Sequence, residues 1–175
     1  SIWYRRLQPD GTLTARQRLA QGAGTTRAEY GAVLPLAYDA PSDTVSIVYR
    51  LGGGILWERK VHGDSAPTEP ATVSDRRVIT DPVDSQQAAA DVVSDGKETH
   101  VLFIDEDTRT ILSTRSESGR WRSPVPQISG IKGSWVRGNV LEKPDGSRVY
   151  GFVYDAGSEG GSGLNRYAEI PIETN

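Results

Sequence analysis

The hydrophobic and polar positions of this chain fall into short runs separated by Gly-, Asp- and Ser-rich turns, and no long helix-period segment appears. The clearest stretch lies between Ala89 and Ser116, where AADVVSDG, ETHVLFIDE and TRTILSTRS follow one another. Val101, Phe103 and their apolar neighbours carry the β-branched and aromatic bias of a buried strand. Ser94 to Glu98 (SDGKE) is a polar, Asp-Gly-containing turn of the kind that closes a hairpin. A charged connection, Asp105 to Arg109, leads to Ile111 and Leu112. Beyond SESGR a further apolar segment runs from Trp121 to Ile128. The pattern predicts four antiparallel strands in up-and-down order.

The same pattern recurs. IWYRRL at Ile2–Leu7 returns as LWERKV at Leu56–Val61, as LSTRS at Leu112–Ser116 and as LNRYA at Leu164–Ala168, at intervals of about 50 residues. The preceding strand repeats with it: VSIVYR at Val45–Arg50, THVLFID at Thr99–Asp105 and RVYGFVYD at Arg148–Asp155. Two strand types recurring in one order predict an all-β chain of four-stranded antiparallel propeller blades. The first unit has two strands, Ser1–Leu7 and Leu13–Gln21. A complete one follows: Ala32–Tyr38, Val45–Arg50, Ile55–Val61 and Ala71–Val78. The central unit spans Gln87 to Ile128, and the last has Ser134–Glu142, Arg148–Tyr154 and Leu164–Ile172. This divides a single propeller domain into a partial blade (1–24), two blades (25–80 and 81–130) and a partial closing blade (131–175), about three to four blades in all.

Such an inventory does not close a ring. An open stack leaves apolar faces and strand edges bare, both aggregation hazards. The expectation is therefore the C-terminal part of a larger propeller, completed by a second polypeptide from the N-terminal part of the same precursor. A ring of identical pieces is the weaker alternative. The 175 residues contain no methionine and begin at Ser1, which reads as a processed or trimmed piece. There is no cysteine, so disulfides neither hold the fold nor reveal its compartment. A net charge of −3 argues against nucleic acid, and no apolar run is long enough to cross a membrane.

Candidate chemistry sits on one rim. Turns between first and second strands are short (Asp39–Asp43, Ser94–Glu98, Lys143–Ser147). Connections at the other end are longer: Gly22–Gly31, Thr80–Gln87, Ser129–Ser134 and the Gly-rich Asp155–Gly163. Long loops on one rim of a repeated scaffold are where binding tends to lie. Just before and within the innermost strands stand Arg27, Glu29 and Tyr30; Asp81, Asp84 and Gln87; and Lys132, Trp135, Arg137 and Asn139. Aromatic rings with planar donors and acceptors suit a sugar site. The structural alternative is that Arg–Asp pairs tie neighbouring blades together. His100 reads as a packed strand residue, whereas His62, at a strand end, is a candidate for acid–base chemistry, its plainer reading being an exposed loop histidine. Trp3 and Trp57 occupy equivalent third-strand places and read as packed between blades. Zinc clusters, phosphate-cradling glycine loops and nucleophile elbows are absent from the sequence.

The segment SDGKETHVLFIDEDTRTILSTRSESGRW resembles the repeat of secreted, BNR-type, sialidase-like propellers, with SESGRW a degenerate form of their Asp-box turn. RVYGFVYDAGSEGGSGLNRYAEIPI is similar to the last blade of fungal members. The closest analogy is to seven-bladed rhamnosyl-glucuronate lyases and rhamnosidase-like enzymes. It implies extracellular action on acidic plant polysaccharide and a site built on histidine and arginine. No catalytic position carries across residue for residue, and the family's key histidine belongs to the N-terminal part. A lyase needs a base and a cation for the uronate carboxylate; Tyr30 or His62 serves as the base and Arg137, Lys132 or Arg27 as the cation. A hydrolase needs paired carboxylates, here Glu29, Asp81 and Asp84. The remaining substrate contacts are Gln87, Trp135 and Asn139. No cofactor is evident, although a structural calcium ion fits the central channel of such a ring. The competing class is a fucose-type propeller lectin, for which Arg59, Arg115 and Arg166 recur at related third-strand places. A propeller used purely for protein contact is the third.

Overall fold

The computed structural model describes residues 2–20, 35–51, 55–63, 73–77, 87–105, 107–117, 119–133, 135–157 and 163–172. Fourteen strands and no helix occur among them, arranged in four antiparallel sheets that follow the chain in order. Sheet I pairs β1 (Ile2–Tyr4) with β2 (Gln17–Ala20). Sheet II is β3 (Leu36–Asp39), β4 (Thr44–Leu51), β5 (Ile55–His62) and β6 (Val73–Arg77). Sheet III is β7 (Gln87–Ser94), β8 (Thr99–Asp105) and β9 (Thr110–Glu117), whose outer edge is shared by β10 (Arg120–Trp121) and β11 (Val125–Ser129). Sheet IV is β12 (Val136–Glu142), β13 (Arg148–Asp155) and β14 (Asn165–Ile172). Each is an up-and-down meander.

Three departures from the sequence pattern have local causes. In sheet I regular pairing is confined to Ile2–Tyr4, with a bulge after Ile2 and a single further bridge between Leu7 and Leu13. The expected strand from Trp121 to Ile128 is two pieces. Pro124 and Pro126 offer no backbone N–H, and the ladder to β9 shifts register between Pro126 and Ile128. The turn before β4 places Asp43 at φ 46°, a left-handed residue where the equivalent turns of sheets III and IV use Gly96 and Gly146.

Alternation along the strands sorts the core into three clusters, one in each gap between consecutive sheets. Tyr4 and Leu19 of sheet I meet Ile47, Tyr49, Trp57 and Val61 of sheet II. Val48 and Leu56 of sheet II meet Ala90, Val92, Val101 and Phe103 of sheet III. Leu102, Ile104 and Ile111 of sheet III meet Val136, Tyr150, Phe152 and Tyr154 of sheet IV. Sheet III is covered on both faces, so every position of β8 is buried. Full burial of each of its apolar side chains, Val101, Leu102, Phe103 and Ile104, contributes about 1.5–3 kcal/mol.

The sheets are also tied by hydrogen bonds. Ser94 Oγ donates to Asp39 Oδ1 at 3.0 Å, joining sheets II and III. Between III and IV, buried Asp91 accepts from Gly138 N (2.7 Å) and Tyr150 Oη (3.0 Å), and the Arg148 guanidinium donates to Asp95 O at 2.7 Å. The first strands β3, β7 and β12 run beside one another, so sheets II, III and IV are aligned along one edge.

Candidate functional site

An antiparallel meander puts the loops entering the first strands and those joining second to third strands at one end, called here the loop rim. The first-to-second turns lie at the opposite end, about 25 Å away for an eight-residue strand. This separates the candidate residues. Gln87 and Arg137 stand at the loop-rim ends of β7 and β12, and Lys132 and Trp135 lie in the segment just before β12. His62 ends β5 opposite Thr44, where Gly63 N donates to Asp43 O at 2.8 Å, at the turn end. His62 and Arg137 are therefore not brought together. Arg27, Glu29, Tyr30, Asp81 and Asp84 lie outside the described residues, as does the side chain of Gln87.

Arg137 fills the tying role that the sequence left open. Its Nη1 donates to Ala90 O on β7 and to Val136 O, both at 2.8 Å, and its charge acts on Asp91. Burial pushes the Asp91 carboxyl above its ordinary range, against the Gly138 and Tyr150 hydrogen bonds and the Arg137 charge. Burial, together with the Asp91 carboxylate, holds the Tyr150 phenol well above its own. Trp135 packs against the III–IV core. Asn139 is exposed and its Oδ1 accepts from Val140 N at 2.9 Å.

Of the set, Lys132 opens on a cleft. The segment before β12 is clamped from both sides. Arg109, itself left-handed at φ 53°, donates to Ile131 O (3.0 Å) and Gly133 O (2.8 Å). From sheet IV, Lys132 N donates to Ala156 O (3.0 Å) and Asp155 N to Trp135 O (3.1 Å). Gly157, at φ 70°, lies so close that a Cβ there would stand 2.3 Å from that of Lys132. The result is a rim cleft of about 240 Å³ lined by Lys132, Arg166, Tyr154, Ser129 and the 156–157 backbone. Its two cationic side chains suit a carboxylate.

A second, larger cleft of about 510 Å³ lies at the turn end, on the outer side of the III–IV gap. Arg115 stands opposite His100 in the β8–β9 ladder, and Val125 opposite Ser113 in the β9–β11 ladder. This brings His100, Arg115, Arg122 and Gln127 to one surface, facing Ile170 and Pro171 of β14. His100 is 8% exposed and its Nε2 lies 2.8 Å from Asp95 Oδ2. Burial raises the Asp95 carboxyl, but hydrogen bonds from Glu98 N, His100 and Lys97 N outweigh it and hold the group below its ordinary range. Arg115 pairs with Glu98 at 3.7 Å, and Arg122 pairs with Glu117. The sequence pointed to Arg115 only as one of three repeated arginines. Registers and faces show that the three are not equivalent. Arg115 faces sheet IV with Ile111, whereas Arg59 lies on the side of Val61 and Trp57, toward sheet I, and Arg166 lies opposite core-facing Tyr154, toward sheet III. The signal for Arg122 and Gln127 was the hairpin around Gly119, which folds them back beside Arg115.

Among the described residues, no group of three or more His, Asp or Glu side chains is placed to hold a metal ion. Compared with known families and curated proteins, the chain matches no family and no curated sequence.

Proposed function

We propose that the chain is an arc of a secreted β-propeller of the sialidase-like kind, and that the loop rim binds acidic carbohydrate. The single observation that carries the carbohydrate reading is the pairing of Lys132 with Arg166 in a polar cleft on the rim of long connections. Two cations over a small cavity complement a uronate carboxylate, and a cation there offsets the charge that develops when a neighbouring proton is removed. The ring reading is supported by four sheets stacked in chain order with adjacent first strands. In this reading a second polypeptide supplies the remaining sheets. Trp57, on the rear face of sheet II, packs into the cluster shared with sheet I, while Trp3, on the corresponding face of sheet I, is 52% exposed.

The enzymatic form of the proposal is a polysaccharide lyase or glycoside hydrolase. Its base or carboxylate pair is drawn from Glu29, Tyr30, Asp81 and Asp84 or from the partner, with Lys132 or Arg27 as the cation. The lectin form is favoured by the separate cleft at Arg115. One assay sorts them. Native material is passed over an immobilised rhamnose- and glucuronate-containing plant polysaccharide, and the polymer is then inspected for new ends. Retention that falls on Lys132→Ala and on Arg166→Ala supports the rim site. Ultraviolet absorbance from an unsaturated uronate identifies a lyase, and new reducing ends without it a hydrolase. Retention with neither identifies a lectin, and no retention sinks the carbohydrate reading. Intact mass under native and denaturing conditions tests the partner: a second polypeptide released on denaturation is expected, and a lone folded 19.0 kDa chain overturns it.

A further inference from the structure

The cleft at the turn end has a lining of its own. Its basic side chains come with acidic companions: Arg115 with Glu98, Arg122 with Glu117, and His100 with Asp95. With both arginines matched by carboxylates, the site is rich in both donors and acceptors. The floor is more specific. The Asp95 carboxylate accepts from His100 Nε2, so in the neutral ring the proton sits on that nitrogen and Nδ1 is an acceptor. Among the described residues no hydrogen bond reaches Nδ1, although His100 is buried and lines the cavity. Gln127, whose Nε2 donates to Ser113 Oγ at 2.8 Å, adds an amide oxygen at the opposite wall. Val125, Ile170 and Pro171 supply an apolar wall.

We infer that this cleft is a second binding site, for a neutral, hydroxyl-rich ligand of mono- to disaccharide size. A hydroxyl group is the ligand function that can donate to His100 Nδ1 and accept from Arg115 or Arg122 at once. Adjacent hydroxyls on one ring match donors and acceptors that alternate, and the C–H face of the ring covers Val125 and Pro171. A volume of about 510 Å³ lies within the range of small-molecule sites. An anion gains less here, because both arginines already face carboxylates. The inference stands independently of the rim cleft, which lies at the other end of the strands.

The test is a titration of the native protein with L-rhamnose, L-fucose, D-galactose and D-mannose, followed by backbone amide chemical shifts, with D-glucuronate as the charged comparator. At least one neutral sugar should shift the amides of Arg122, Val125 and Gln127 in a saturable manner. Arg122→Ala and Gln127→Ala alter exposed side chains and leave the core intact, and each should weaken that binding about tenfold. His100→Phe should abolish it; if that variant does not fold, the two surface variants carry the test alone. Shifts confined to Lys132, Ala156 and Gly157 overturn the second site while leaving the rim reading intact. Tighter binding of glucuronate than of every neutral sugar at the Arg122 amides overturns the ligand class. No shift anywhere overturns the site.

Discussion

Sheets III and I are built from the same strand types but live in different surroundings. β8 of sheet III has neighbours on both faces and no exposed position. β1 of sheet I buries Tyr4 against sheet II while Trp3, on the other side, stands 52% exposed with Arg16 and Arg18 over its ring at 5.4 and 6.0 Å. Sheet IV is the mirror case. Its inner face carries Tyr150 and Phe152 at 1% exposure, whereas its outer face shows Leu141, Val153 and Tyr167. Leu141 and Tyr167 lie across Gly151, where a Cβ would stand 2.5 Å from Leu141 Cδ1 and 2.6 Å from Tyr167 Oη. Stability in such a stack is held in the gaps between sheets, so a residue's worth depends on whether its face has a neighbour.

The largest contrast is expected at Phe103, fully buried in the II–III gap. Phe103→Ala leaves a cavity between two sheets and should cost about 3–5 kcal/mol, read as a lower denaturant midpoint. A loss below about 1 kcal/mol would mean that the gap collapses freely and that the stack is looser than its burial implies. Asp91→Ala, in the III–IV gap, comes next. It strands the buried Tyr150 Oη, whose loss of partner costs about 1–3 kcal/mol, and the half-buried Gly138 N. Asp91→Asn keeps an acceptor and should recover much of that loss.

Two carboxyls on one side of sheet III sharpen the comparison through pH. Asp91 has a folded-state pKa raised mainly by burial, so its contribution is fully present below the unfolded value near 3.8 and is lost as pH rises through the folded one. Asp95 is opposite in sign. Burial raises it, but its hydrogen bonds win and the folded pKa is lowered; its contribution is present above the unfolded value and is lost as pH falls through the folded one. Stability measured against pH should therefore lose part of its decline above pH 4 in Asp91→Asn, and part of its acid-side loss in Asp95→Asn. Parallel curves for both variants and the parent would remove the buried-tie account of Asp91 and the turn-lock account of Asp95 together.

Strand positions were legible because alternation and turn chemistry are local. SDGKE, KPDG and the β-branched runs mark β7–β9 and β12–β14 to within about two residues. The broken outer strand of sheet III escaped because two prolines act through missing ladder bonds, which the apolar pattern does not register. The candidate site was less legible. Arg137 was picked out by residue type and place, and its use as a tie depends on where the Ala90 carbonyl comes to lie. Of the three arginines at related sequence positions, Arg59 and Arg166 face the preceding sheet and Arg115 the following one, because register, which reverses a side chain's face on a one-residue slip, is set by pairing and not by spacing. His62 and Arg137 were grouped by chemistry alone, and strand direction sends them to opposite ends.

The smallest expected effect is the most informative about what lies beyond the stack. Trp3 and Trp57 share a strand type, a place in the repeat and a face. Trp57 packs beside Tyr49 and Val61 under sheet I, so Trp57→Ala should cost about 1–3 kcal/mol. Trp3→Ala in the isolated chain should fall within about 0.5 kcal/mol, since its ring is 52% exposed beneath the Arg16 and Arg18 side chains. The difference between two equivalent tryptophans then measures what a covering sheet contributes at that place. If native material carries the proposed second polypeptide, Trp3→Ala in that assembly should cost as much as Trp57→Ala, because the same ring now lies in a filled gap. Equal and small losses at Trp3 in both forms would mean that nothing stacks on sheet I, and the ring would have to be abandoned even if a partner is found.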